Sequence, residues 1–303
     1  MKNLTKKIAA ILSIAIVAPL ILTACGQEAT GLEGEIKIDG SSTVFPITEA
    51  VAEEFIAINP DMQIPVGVSG SGGGFKKFIV GEIDIADASR PIKDEEAQAA
   101  KDAGIEFLEL KVAFDGLSVL VNKDNTWVNN LTTDQLKMIW EPGSKVKTWK
   151  DIDPSWPAEN IKFYAPGTDS GTFEYFTEEI MGEAGAIRQD YTGSEDDNVL
   201  VQGIAGDKNA IGFFGFAYYV ENKDKLKVVK VNDVEPTSAT IEDGSYSPLS
   251  RPLYIYVNKA ALEKEEVKEF VKFYLENASV LATEVGYIQM PEKDYNDQLE
   301  LLK

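Results

Sequence analysis

The feature that most constrains this chain is a short strand followed by a loop rich in Ser, Thr and Gly and then a helix, an order that occurs three times in its first third. Strand-like runs occupy residues 35–39, 63–68 and 83–86, and each leads through such a loop into a segment with helical spacing. This order is typical of an α/β domain with a mostly parallel sheet. Because each loop follows the carboxyl end of a strand, we expect the loops to meet at a ligand site.

The same pattern continues beyond residue 117, which predicts a second unit. A strand at residues 117–121 is expected to carry the chain out of the first domain, and a strand at residues 253–257 to return it. Roughly 280 residues follow the N-terminal segment, more than one domain of about 100–200 residues usually contains. We therefore predict two α/β domains, with domain I at residues 35–116 plus 248–303 and domain II at residues 117–247.

The first 24 residues have the pattern of a secretory signal peptide. Three lysines precede an apolar run at residues 8–22, which is interrupted by Pro19 and ends just before Cys25. A membrane-spanning helix would need roughly 20 uninterrupted apolar residues. Cys25 is the only cysteine and cannot form an internal disulfide, and the Leu-Thr-Ala-Cys ending resembles a bacterial lipobox. We predict that residues 1–24 are removed, that Cys25 is lipidated, and that residues 25–34 tether the protein to the membrane.

Charge and composition exclude several function classes. The net charge is −21, and loss of the signal peptide with its three lysines would leave −24, so nucleic acid is not an expected partner. An anionic ligand would have to be held by local donors, because the overall field repels it. The chain has no histidine, which excludes Ser-His-Asp and Cys-His catalysis and removes the commonest zinc ligands. We expect no enzyme activity, no cofactor and no metal site.

Four of the loops carry the donors that a tetrahedral oxyanion requires. Helix N-termini offer free N–H groups and a partial positive charge, glycine allows close approach of the backbone, and hydroxyls add donors. One such loop alone usually serves only to cap its helix. Four loops at the same topological place instead favour one anion site. No Gly-Lys-Ser/Thr sequence supports a P-loop. The four loops lie at residues 41–43, 71–74, 89–90 and 170–172.

In their order and spacing these loops resemble the phosphate-binding proteins of Pst-type ABC transporters, which belong to the periplasmic-binding-protein superfamily. The resemblance extends from about residue 35 to the C-terminus and rests on residues 40–46, 70–76, 87–91 and 168–172. It implies a two-domain, type II periplasmic-binding-protein fold, with a mixed, mostly parallel sheet flanked by helices in each domain. It also implies phosphate in the interdomain cleft, delivery to permease and ATPase subunits of an importer, and a monomer anchored outside the cytoplasm.

The resemblance also implies a set of ligand residues. First-loop donors are Ser42, Thr43 and the amides of Val44 and Phe45. The other loops add hydroxyls and amides from Ser71, Gly72, Ser89, Ser170, Gly171 and Thr172.

Two departures from the family pattern leave roles open. Pro166 and Phe173 stand where many members carry an arginine. The cation is therefore expected to be Arg90, with Arg188 and Arg251 as alternatives.

Ser89 falls where members often carry the aspartate that accepts the phosphate proton, so Asp87 is the expected acceptor here. The acids at residues 195–197 are interpreted as a solvated helix start. Other readings stay open: another oxyanion such as sulfate or molybdate, an enzyme acting on phosphoesters, or an adhesin that kept the fold without the ligand.

Overall fold

The computed structural model describes residues 31–168 and 170–303, so the predicted signal peptide and lipidation site Cys25 lie outside the described residues. Within these residues the chain forms twelve β-strands and ten α-helices. The strands are β1 (Glu33–Glu35), β2 (Ile38–Gly40), β3 (Asp61–Gln63), β4 (Val66–Val68), β5 (Ile85–Ala88), β6 (Phe107–Asn122), β7 (Asn130–Leu131), β8 (Lys162–Pro166), β9 (Thr192–Ser194), β10 (Ala210–Gly215), β11 (Leu226–Val231) and β12 (Ser250–Asn258).

The helices alternate with these strands over most of the chain, as the repeated strand–loop–helix pattern predicts. Three further short segments form 3₁₀ helices, at Trp149–Asp151, Ala261–Glu263 and Glu300–Leu302. The α-helices are α1 (Phe45–Ile58), α2 (Gly70–Ile79), α3 (Asp94–Asp102), α4 (Thr133–Trp140), α5 (Gly171–Met181), α6 (Asp197–Gly206), α7 (Phe216–Glu221), α8 (Ser238–Glu242), α9 (Glu265–Glu284) and α10 (Glu292–Leu299).

Ten strands form one mixed sheet, and the long strand β6 belongs to both of its halves. Along the sheet the strands follow the order β4-β2-β5-β12-β6-β10-β8-β9, while β11 pairs with β6 and with β7. The first part of β6, from Phe107 to Gly116, pairs with β12. From Leu117 onward β6 pairs with β10, and from Val119 also with β11. The change of partners between residues 116 and 117 supports our proposed boundary between domains I and II.

Parallel pairing brings the carboxyl ends of the ligand-loop strands to one edge of each half. In the first half β2 pairs in parallel with both β4 and β5. In the second half β8 pairs in parallel with both β9 and β10. The architecture is a mixed α/β fold in two halves, as the sequence predicts.

The strand β5 runs two residues further than its sequence pattern suggested. It ends at Ala88, so Asp87 lies inside the strand instead of in the following loop. Side chains alternate along a strand, and Ala86 and Ala88 contact the cluster of Phe75 and Phe78 on α2. Asp87 therefore points to the opposite face with Ile85, toward the core beneath α1 and α9.

The glycine run 72–74 lies inside α2, which begins at Gly70, whereas the sequence pattern predicts a loop at residues 71–74. A Cβ on Gly74 would lie 2.7 Å from the Cα of Gly40 and 2.9 Å from the Asp39 carbonyl oxygen. These contacts are closer than real Cβ atoms allow, so the missing side chain lets α2 pack directly against β2. The run is thus a packing feature as well as a source of amides.

No helix among the described residues combines the length and the apolar character that crossing a membrane requires.

Candidate functional site

A cavity of about 300 Å³ lies between the ligand loops of the first half and the helix α5 of the second half. The first, second and third predicted loops all contribute to its wall. Cations, hydroxyls and carboxylates dominate the lining, and most of these side chains are held by other protein groups. The lining residues are Ser41, Ser42, Thr43, Gly70, Ser71, Gly72, Ser89, Arg90, Lys93, Glu174, Tyr175, Glu178, Glu179 and Arg251.

The first loop, which follows β2, is fixed by a hydrogen bond to β5 and by hydrogen bonds to Ser41. The Ser41 amide donates to the Asp87 carbonyl at 2.9 Å, and the Thr43 amide donates to the Ser41 hydroxyl at 3.2 Å. The Phe45 amide, one of the expected ligand donors, instead donates to the Ser41 carbonyl at 3.0 Å. Val44 is the N-cap of α1 and its side chain is fully buried. Ser41, Ser42 and Thr43 are the residues of this loop that line the cavity.

The second and third loops are joined through their serines. The Ser89 amide donates to the Ser71 hydroxyl at 3.1 Å, and the two hydroxyls lie 3.2 Å apart. Gly72 follows in the first turn of α2, where a Cβ would lie 3.7 Å from Arg90 Nη2. The structure therefore brings Ser71, Gly72, Ser89 and Arg90 together at the wall of one cavity.

Asp87 does not reach this cavity, which corrects its expected role as the acceptor of a ligand proton. Its side chain is 1% exposed, and neither carboxylate oxygen has a hydrogen-bond partner among the described residues. Burial raises the pKa of Asp87 to about 8, with a smaller contribution from the charge of Asp39. The nearby Thr48 hydroxyl, which pairs with Tyr274 at 3.0 Å, opposes only part of this increase. Asp87 is a buried acid of the first half's core.

Arg90, the expected cation, lines the cavity but is engaged by a carboxylate. Both of its terminal nitrogens donate to Glu96 at 2.8 Å in a two-pronged pair. Hydrogen bonding to Glu96 raises the pKa of Arg90, and Arg90 helps to hold the pKa of Glu96 below its ordinary value despite burial. The guanidinium also lies 5.2 Å from the centroid of the Phe75 ring. Much of its charge is therefore neutralised within the first half.

Arg251, an alternative cation from the sequence, lines the same cavity. Its Nη2 donates to the Thr43 hydroxyl at 2.9 Å, and its Nε donates to Asp115 at 3.3 Å. The guanidinium carbon lies 3.5 Å from the centroid of the Tyr175 ring. Burial raises the pKa of Asp115, and the charge of Arg251 opposes this increase. Three different elements thus fix one guanidinium at the wall of the cavity.

The third arginine considered from the sequence, Arg188, is structural. Its side chain is 2% exposed and donates to Asp190 at 2.6 Å and 2.9 Å. It also donates to the carbonyls of Ile139 and Val146, and its guanidinium stacks on Phe163 at 3.6 Å. Arg188 is not among the residues that line the cavity, so the structure does not bring it to this site.

Helix α5 supplies an acidic wall opposite the hydroxyl donors. Ser42 donates its hydroxyl hydrogen to Glu174 at 2.8 Å, a contact between residues 132 positions apart in the chain. Burial raises the pKa of Glu179, the charge of Arg251 opposes the increase, and Glu178 adds to it. The loop patterns did not predict these glutamates. Glu174 and Glu178 are four residues apart and so lie on one helix face, which is a sequence signal that could have identified them.

The fourth predicted loop faces an adjoining cavity of about 450 Å³. Ser170 caps α5 by accepting the Thr172 amide at 3.2 Å, and a Cβ on Gly171 would lie 3.0 Å from Thr43 Oγ1. The loop therefore touches the first loop, and Ser42 contributes to both cavities. The four loops meet, but their donors are divided between two adjoining spaces.

The acids at residues 195–197 are only in part a solvated helix start. Asp196 accepts the Asn198 amide at 2.9 Å as the N-cap of α6, as the sequence indicated. Asp197 instead lines the second cavity, where burial and then the charges of Asp196 and Glu195 raise its pKa to about 6.

Comparisons with known proteins agree with this arrangement. A family model of the PBP superfamily domain matches residues 26–278. Protein SphX of Synechococcus elongatus is 49% identical over 302 residues, which cover 97% of this chain and 88% of that protein. Phosphate-binding protein PstS of Staphylococcus saprophyticus is 47% identical over 294 residues, which cover 94% of this chain and 90% of that protein.

One solved structure is also similar to this chain over most of its length. The crystal structure of a possible phosphate binding protein from Planctomyces limnophilus shares 48% sequence identity with this chain at a TM-score of 0.85. The match covers 90% of this chain and 98% of that one. The resemblance inferred from the loops is therefore confirmed, and the chain belongs to the PBP superfamily and, within it, to the family of PstS and SphX.

Proposed function

We propose that this protein captures inorganic phosphate outside the cytoplasm and hands it to the permease and ATPase subunits of an ABC importer. Two relatives that cover most of the chain are named as phosphate-binding or possibly phosphate-binding proteins. The observation that carries the proposal is the contact from Arg251 to the Thr43 hydroxyl at 2.9 Å, inside a cavity at the carboxyl ends of the strands. This contact combines a positive charge with an oriented hydroxyl donor.

The hydrogen-bond directions leave hydroxyl hydrogens for an oxyanion. A hydroxyl has one hydrogen and two lone pairs. Because Thr43 Oγ1 accepts from Arg251, its own hydrogen is available to donate to a ligand oxygen. Ser71 likewise accepts the Ser89 amide, which leaves its hydrogen for Ser89 or for a ligand. We propose Thr43, Ser71 and Ser89 as hydroxyl donors, with Arg251 in place of Arg90 as the principal cation.

The proposed site also includes the remaining donors of the four loops. Ser42 stands where the two cavities meet, and Gly72 and Arg90 line the first of them. The residues Ser170, Gly171 and Thr172 lie at the N-terminus of α5, where the helix dipole favours an anion and the Thr172 hydroxyl is a further donor. Because these donors belong to both proposed domains, phosphate would bridge domains I and II and favour their closure.

We propose Glu179 as the acceptor of the phosphate proton in place of Asp87. Glu179 lines the first cavity, and the positive charge of Arg251 opposes the rise of its pKa that burial causes. A carboxylate there can accept the O–H of phosphate but would repel sulfate, which carries no proton at neutral pH. Glu174 is less suited, since it already accepts the Ser42 hydroxyl.

The location of the protein follows from its N-terminal sequence. We propose that residues 1–24 are a signal peptide and that a lipid on Cys25 holds the protein at the outer face of the cell membrane. We further propose that it acts as a monomer and as a binding protein without catalytic activity.

The proposal is tested by calorimetric titration of phosphate into the protein, with sulfate and molybdate titrated in parallel. A hydrogen bond to a charged group contributes about 1.5–3 kcal/mol, so Ser71→Ala and Thr172→Ala should each weaken phosphate binding roughly ten- to a hundredfold. Ser279→Ala on α9 removes a hydroxyl outside both cavities and is the matched control. A protein that prefers sulfate or molybdate would support the alternative oxyanion. Turnover of a phosphoester would support an enzyme instead.

A further inference from the structure

We propose that Tyr175 is a positioning residue of this site, whose ring holds the Arg251 guanidinium in the orientation that the bound anion requires. The inference rests on the proposed function, because it concerns the cation that would meet phosphate. Tyr175 follows the fourth loop on α5, in proposed domain II, whereas Arg251 lies on β12 in proposed domain I.

The contacts of Arg251 show what the ring adds. Thr43 and Asp115 each engage one edge nitrogen of the guanidinium, at 2.9 Å and 3.3 Å. The Tyr175 ring lies against the guanidinium, with a distance of 3.5 Å between the guanidinium carbon and the ring centroid. Edge contacts alone would allow the planar group to swing about them, whereas stacking on a ring restricts its plane. The remaining donors of Arg251 are thereby kept in a constant orientation.

The ring is itself rigidly held. Tyr175 is 1% exposed, and its hydroxyl donates to the Pro248 carbonyl at 2.5 Å. Pro248 lies just before the start of β12, so the ring and the hydroxyl of one side chain contact the same short segment. Tyr175 therefore connects α5 to the segment that carries Arg251, and closing the two domains over an anion would keep this stack in place.

A set of variants separates positioning by the ring from general structural support. Tyr175→Phe keeps the ring and loses only the hydrogen bond to Pro248, so its phosphate affinity should stay within about twofold of the wild type. Tyr175→Leu removes the ring and should weaken phosphate binding about fivefold to thirtyfold, the range expected for a desolvated cation–π contact. Phenylalanines with increasing fluorination at position 175 keep the shape and weaken the ring's attraction for a cation. Their affinities should fall stepwise with fluorine content.

A control and a double-mutant cycle complete the test. Phe163→Leu removes a stack of similar geometry, on the structural Arg188 at 3.6 Å, and should lower stability without changing phosphate affinity. In an Arg251→Gln background, Tyr175→Leu should cause no further loss of affinity, because the two residues act as one unit. Thermal unfolding without phosphate reports folding of each variant separately.

The outcomes distinguish this inference from the proposed function. A wild-type protein that does not bind phosphate would overturn the proposed function and the inference together. If the wild type binds, two results overturn the inference alone: equal affinities across the fluorinated series, or the same loss from Tyr175→Leu with and without Arg251. The fluorinated series decides the question if Tyr175→Leu does not fold.

Discussion

Replacing Asp87 with Asn should change how the stability of this protein depends on pH. Asp87 is buried in β5 with neither oxygen hydrogen-bonded among the described residues, and its pKa is raised from 3.8 to about 8. The folded state therefore holds a proton on Asp87 that the unfolded chain releases above pH 4. Stability from this group is fully present below pH 3.8 and is lost as the pH rises toward 8.

The magnitude follows from the two pKa values. Each pKa unit corresponds to about 1.36 kcal/mol, so a rise from 3.8 to about 8 amounts to roughly 6 kcal/mol over the whole window. Between pH 5 and pH 7 the wild type should lose about 3 kcal/mol of unfolding free energy relative to Asp87→Asn, whose side chain does not titrate. The test compares how steeply the unfolding free energy of each protein changes with pH, so it does not depend on the absolute stability of the variant.

Urea unfolding of both proteins at pH 5, 6, 7 and 8 measures this difference. Asp61→Asn, a substitution at an exposed acid in β3, should follow the wild-type profile and serves as the control. Parallel profiles for the wild type and Asp87→Asn would refute the argument that burial keeps this carboxyl protonated. Because Asp87 lies outside both cavities, Asp87→Asn should also leave phosphate affinity and the exclusion of sulfate unchanged.

Three further predictions concern packing, selectivity and closure. Gly74→Ala should destabilise the protein by about 1–3 kcal/mol in urea unfolding, because its Cβ would lie 2.7 Å from the backbone of Gly40; an unchanged midpoint would contradict direct contact between α2 and β2. Glu179→Gln should bind sulfate measurably in a competition titration, and complete sulfate exclusion by that variant would remove Glu179 as the acceptor. Small-angle scattering should give a smaller radius of gyration with saturating phosphate than without it, unless the protein is closed in both conditions.

The sequence predicted the fold and the topological place of the site because both follow from local patterns. Repeated strand–loop–helix units predict a parallel arrangement, and parallel pairing of β2 with β4 and β5 does bring three of the loops to one edge. The loop serines Ser71 and Ser89 come into contact for this reason. This contact can therefore be expected from the strand order alone, without knowledge of contacts between residues far apart in the sequence.

Two features of the site could not be predicted from local patterns: the end of strand β5, and contacts between residues that are far apart in the sequence. Asp87 was placed in a loop, but β5 continues through it, and the alternation along the strand turns its carboxyl toward the core. Arg251 lies 208 positions from Thr43 in the chain, so no local pattern indicates the hydrogen bond between them. The α5 glutamates that line the cavity are acceptors, so a pattern of anion donors in the loops does not identify them.

The measurement that tests the central claim most directly is a calorimetric phosphate titration of the wild type and Arg251→Gln, after bound anion is removed by unfolding and refolding. The account predicts saturable binding of one phosphate per wild-type chain, little or no binding of sulfate, and affinity reduced roughly ten- to a hundredfold in the variant. Absence of phosphate binding by the refolded wild type would contradict the proposed function. Equal affinities of the two proteins would contradict the central place given to Arg251.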